Sequence, residues 1–84
     1  MSRGGDWPAD PHERLARLVH DLRTPLTIVQ GFAELLDRGA DKLDDARRSE
    51  YLGRIAHASR EMKDILDDER EDRLSAEISS SDER

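Results

Sequence analysis

Apolar positions in the first half of the chain recur as they do along one side of a helix. At about 100° per residue, Leu15, Leu18, Val19, Leu22, Leu26, Val29, Phe32, Ala33 and Leu36 form one broad stripe. Asp10 suits the N-cap, Pro11 the first helical position, and Glu13 completes a capping box. This helix is predicted to run to about Arg38, with Gly39 as a left-handed cap residue. A second stripe, Tyr51, Ile55, Ala58, Met62, Ile65 and Leu66 with Leu52 on its shoulder, predicts a helix over about 45–68. Asp41-Lys42-Leu43-Asp44-Asp45 reads as the turn between them, Asp44 or Asp45 capping the second helix.

At both ends the pattern fades. Residues 1–9 read as a flexible leader; Trp7, beside Pro8, has room to pack on a bundle end, but nothing in the sequence fixes it there. Beyond Leu66 the same face continues with Glu69 and Arg73, so residues 69–84 read as an acidic, disordered tail. The fold class is all-α, an antiparallel two-helix hairpin over residues 10–68. Two helices with stripes this broad leave one flank of each in water. Pairing two hairpins into a four-helix bundle covers those flanks, so a homodimer is expected.

Composition narrows the function classes. Charged residues make up 40% of the 84 and aromatics 4%, so the core must be aliphatic and thin. The absence of cysteine removes disulfides, thiolate metal sites and cysteine nucleophiles. No apolar run has the length of a membrane span, and the first residues lack the pattern of a secretory signal. A cytoplasmic location with no membrane partner is therefore expected. The net charge is −6, and residues 67–84 hold eight acidic and three basic side chains, nearly the whole imbalance. Nucleic acid, which needs a basic face, is not an expected partner.

The candidate chemistry lies in His20-Asp21-Leu22-Arg23-Thr24-Pro25-Leu26. Helical phase puts His20 almost opposite the stripe, with Thr24, Thr27 and Gly31 on its own face, so its imidazole is predicted to be exposed. A free imidazole has a pKa of about 6.5 and is largely neutral and nucleophilic at pH 7. Pro25, in mid-helix, removes a hydrogen bond to the Asp21 carbonyl at a cost of about 3 kcal/mol. Thr24, at i+4, is a same-face neighbour of His20, whereas Asp21, at i+1, is not on a regular helix. Spacing alone leaves the Asp21 contact open. His12 and His57 are dispersed and predicted to be solvated, so the three histidines do not form a metal site. Gly31 and Gly53 each cost a helix about 1 kcal/mol; Gly31 leaves room on the His20 face for a docking partner, and nothing in the sequence explains Gly53.

Residues 20–26 resemble the H-box of sensor histidine kinases, whose usual form is His-Glu-Leu-Arg-Thr-Pro-Leu. The continuation from Thr27 to Leu36, and Tyr51-Leu52-Gly53-Arg54-Ile55 in the second helix, are similar to the same family, so the resemblance spans residues 12–66. It implies a dimerisation and phosphotransfer domain with His20 as phosphoacceptor on the outside of the first helix. It further implies that Asp21 bonds one ring nitrogen, leaving the other free to attack phosphorus, helped by a local bend at Pro25. Thr24 resembles the residue that places a water for dephosphorylating a partner regulator. Arg23, Thr27 and Gly31 are candidate contacts for phosphate or partner, though Arg23 reads equally well as a solvated charge.

Two departures qualify the resemblance. Asp21 replaces the commoner glutamate and shortens the reach of the carboxylate. No glycine follows Gly53 in these 84 residues, so no phosphate-cradling loop is expected among them. The chain is expected to bind no cofactor itself; ATP and Mg²⁺ are expected only through partner proteins. Those partners are the catalytic ATP-binding domain of a histidine kinase acting in trans and the receiver domain of a response regulator. The expected function is that His20 receives a phosphoryl group and passes it to a regulator aspartate. A non-catalytic dimeric adaptor that docks on a kinase or regulator, and a fragment of a longer kinase, are the other readings the sequence leaves standing.

Overall fold

The computed structural model describes residues 7–39 and 41–82, with side chains as far as Glu77. Two helices, α1 over Pro11–Arg38 and α2 over Asp45–Asp82, pack antiparallel in a body 63 × 20 × 18 Å. The caps that start them are those the sequence predicts. Asp10 accepts from the Glu13 amide at 3.0 Å, and Asp44 accepts from the Arg47 amide at 2.7 Å. These aspartates satisfy N–H groups that have no partner within the first turn.

Gly39 closes α1 differently from expectation. Its φ is −103°, outside the left-handed region. Its amide still donates to the Leu35 carbonyl at 3.0 Å, and its own carbonyl then accepts from the Lys42 and Leu43 amides at 2.8 and 3.0 Å. Glycine eases a close approach here. A Cβ would lie 3.1 Å from the Leu35 carbonyl oxygen and 3.4 Å from Leu43 Cγ.

Pro25 lies inside α1, which continues through it, and its ring is buried. Two cross-helix contacts set the register: Arg14 with Glu69, and Phe32 with Tyr51, whose ring centroids are 5.2 Å apart. That register puts Pro25 level with Ala58 and Leu18 level with Ile65. Ala58 and Ile65 are each 1% exposed, so a small residue stands across from the bulky proline ring. Leu18, Leu22, Val29, Phe32 and Leu36 of α1, and Tyr51, Ile55 and Met62 of α2, are half-buried along the same seam. The rest of both stripes remains wet. Leu15, Val19 and Leu26 of α1, with Leu52 and Leu66 of α2, stay about half exposed along one side of the hairpin.

The open end holds two corrections. α2 continues to Asp82, where the sequence predicts an end near residue 68, and Trp7, assigned to a flexible leader, is only 7% exposed. Residues 1–6 of that leader and the last two residues of the tail lie outside the described residues. Trp7 Nε1 donates to Asp68 Oδ2 at 3.1 Å, and the indole lies against the guanidinium groups of Arg14 and Arg17, 5.5 and 5.3 Å from the ring centroid. Arg14 spreads over both segments. It donates from Nε to Glu69 Oε2 at 2.6 Å, from Nη2 to Asp72 Oδ2 at 2.8 Å and to the Glu69 carbonyl at 3.1 Å, and from Nη1 to the Pro8 carbonyl at 3.1 Å.

The physical reason is that beyond Leu66 the pairing is carried by charge-assisted hydrogen bonds together with burial of the single Trp7 ring, not by a continued apolar stripe. Hydrogen bonding to Glu69, against the opposing cost of burial, holds the Arg14 guanidinium above its ordinary pKa. The bond from Arg14 likewise holds the Glu69 carboxyl below its ordinary value. A hydrophobic period cannot register a contact of this kind.

Candidate functional site

His20 projects from the third turn of α1 with 86% of its side chain exposed, where helical phase predicts it. Its sequence neighbour does meet it: Nδ1 lies 3.2 Å from Asp21 Oδ1. Asp21 occupies the shoulder between the His20 face and the seam, and its side chain is only 19% exposed. Its second oxygen, Oδ2, faces Arg17 Nε at 3.4 Å, one turn back. Both carboxylate oxygens are thus engaged, one by a cation and one by the imidazole. When the ring proton is on Nδ1, the ring donates to Asp21 and Nε2 retains its lone pair.

The other candidates fall into two groups. Thr24 is exposed one turn beyond His20 on the same face. Arg23 and Gly31 are also exposed, and nothing approaches within 4 Å of where a Gly31 Cβ would stand. Thr27 is exposed, but its hydroxyl donates to the Arg23 carbonyl of its own helix at 2.9 Å, which leaves only its lone pairs for a ligand. Further along, Thr27, Ile28, Gly31, Phe32 and Leu35 line a shallow apolar depression of about 270 Å³. Ile28 and Leu35 are 37% and 45% exposed.

Ile28 and Leu35 lie off the main stripe, so apolar periodicity alone does not mark them. The signal that does mark them is their seven-residue spacing on the shoulder of the His20 face, with Gly31 between them. The remaining histidines stand apart. His12 is exposed on the first turn of α1, and His57 on α2 pairs with Glu61 at 2.9 Å. Among the described residues, no three His, Cys, Asp or Glu side chains gather into a set that would hold a metal ion. Nor is any helix among them long and apolar enough to cross a membrane.

An exposed histidine on the first helix of a two-helix hairpin, with a carboxylate at one ring nitrogen, agrees with comparison to known families. The model for the His Kinase A (phospho-acceptor) domain matches residues 12–74. The chain belongs to this family, the phosphoacceptor domains of histidine kinases in two-component signalling. The matched span runs past Leu66 and takes in Glu69 and Asp72, the partners of Arg14. No curated protein and no solved structure matches the chain.

Proposed function

We propose that His20 accepts a phosphoryl group from a partner and passes it to the aspartate of a response-regulator receiver domain, the chain acting as a homodimer. The observation that carries this reading is the exposed imidazole with Nδ1 against Asp21 and Nε2 left to solvent. As the new N–P bond forms and the P–O bond to the donor breaks, positive charge develops on the ring. The Asp21 carboxylate, accepting from Nδ1–H, offsets that charge and fixes which nitrogen attacks. Catalysis on this side is mainly positioning. The ATP is held by the catalytic domain of a kinase acting in trans, and Mg²⁺ by the partners.

Thr24 then stands where it can place a water for the reverse task, dephosphorylation of the regulator. The depression around Gly31, with Ile28 and Leu35 on its rim, suits an apolar contact of the docked receiver domain. The wet flank along Leu15, Val19, Leu26, Leu52 and Leu66 supports pairing with a second hairpin.

The test is transfer of label. The chain is incubated with radiolabelled ATP and a kinase catalytic domain, or with a labelled receiver domain. Label is expected on the parent chain and absent from His20→Ala. Binding of both partners without label on the parent would replace this function with that of an adaptor.

A further inference from the structure

We propose that Arg17 is a positioning residue for His20: it holds the Asp21 carboxylate toward the ring, and Trp7 holds Arg17 in turn. The consequence for transfer rests on the function proposed above, but the positioning itself does not. An aspartate on a helix surface has rotamers that point its carboxylate into water, and one of them must be selected for Oδ1 to stay beside Nδ1. Arg17 makes that selection. It lies at i−4 from Asp21, on the same side of α1, with Nε 3.4 Å from Oδ2, the oxygen that His20 does not use.

Arg17 is restrained from its other side. Its guanidinium carbon lies over the Trp7 ring, 5.3 Å from the centroid, and Trp7 is anchored on α2 through Nε1 to Asp68 Oδ2 at 3.1 Å. Every member of this line but the last is at least partly sheltered: Trp7 is 7% exposed, the Arg17 side chain 35% and the Asp21 side chain 19%, against 86% for His20. The exposed ring is thus oriented by a series of contacts that begins in the buried part of the open end. A planar, permanently charged guanidinium can meet a carboxylate at one edge while its face rests on an indole. A lysine would keep the charge and lose the planar fork of donors.

The experiment reads the tautomer of His20 in the full chain, by the ¹⁵N shifts of its ring nitrogens at a pH where the imidazole is neutral. His12, exposed on the same helix, is the internal reference. In the parent, His20 is expected to carry its proton mainly on Nδ1. In Arg17→Ala the Nδ1–H share should fall by about twofold or more toward the His12 value, the scale of a partly exposed charge contact. Trp7→Phe should move it less in the same direction, and Arg17→Lys should restore part of the loss. Circular dichroism verifies helicity, and Arg17→Gln, which keeps most of the side chain's length, takes the place of Arg17→Ala if that variant unfolds. An unchanged His20 tautomer in a helical Arg17→Ala or Arg17→Gln protein overturns the proposal. No phosphodonor is present, so the two readings fail separately. A shifted tautomer in a chain that never takes label leaves Arg17 its role and removes the transfer function, and label with an unmoved tautomer does the reverse.

Discussion

Replacing Arg14 with alanine tests the open end of the hairpin most directly. The substitution removes three donors to Glu69 and Asp72 and the one to the Pro8 carbonyl, and leaves Glu69 with only the more exposed Arg73, 3.3 Å from its Oε2. Exposed ion pairs contribute up to about 1 kcal/mol, and breaking a buried pair costs about 3–5 kcal/mol. The Arg14 and Glu69 side chains are 14% and 12% exposed and that of Asp72 is 23%, in a hairpin only two helices thick. The expected loss is therefore intermediate, about 2 kcal/mol. With a urea dependence of roughly 1–2 kcal/mol per molar for a chain of this size, the midpoint should fall by about 1–2 M at fixed protein concentration.

Trp7 is the sole tryptophan, so its fluorescence reports this end while circular dichroism reports the helices. The acid response has a defined sign. Glu69 has its pKa lowered from 4.5 chiefly by the bond from Arg14. Its contribution is therefore complete above about 4.5 and is lost as pH falls through the lower value it has in the fold. The stability gap between parent and variant should narrow from pH 7 toward pH 3. A gap under about 0.5 kcal/mol at pH 7, or a parent whose Trp7 emission already matches that of indole in water, would refute this account of the open end.

Two further outcomes follow from exposed positions. Leu26 is 52% exposed in the single hairpin, so Leu26→Asp should scarcely disturb the seam. If the wet flank pairs two hairpins, the change should weaken the dimer by about 2 kcal/mol per copy, which sedimentation would read as a shift toward monomer mass; an unmoved dimer would exclude that flank as the interface. Gly31→Ala and Gly53→Ala each meet no atom within 4 Å and should raise helix stability by about 1 kcal/mol. Only Gly31→Ala should slow transfer to a receiver domain, and equal transfer rates in the two variants would remove Gly31 from the docking surface.

Helix starts and the facing of His20 were legible in the sequence because each depends on local chemistry. Asp10 and Asp44 cap through their own side chains, and the phase of an apolar stripe is enough to turn His20 outward. What escaped depends on partners far along the chain. Trp7 meets Asp68 sixty-one residues away, and Arg14 meets Glu69 at fifty-five, both through polar groups that a count of apolar positions leaves out. Gly39 misled for a different reason. Glycine after a helix usually signals a left-handed residue, and here it signals crowding by Leu35 and Leu43. The Asp21 contact was undecided at i+1, and it took the placement of Arg17 to show how the carboxylate is shared.

The hairpin is fastened by unlike forces at its two ends. Near the turn, Phe32 and Tyr51 meet ring to ring, a contact indifferent to ionic strength. At the other end, guanidinium and carboxylate groups hold the two helices together, and these, sheltered enough to be only weakly screened by salt, are undone by acid. A drop in pH should therefore unzip the molecule from one end only. Backbone amides near Asp72 would exchange with deuterium well before those near Tyr51.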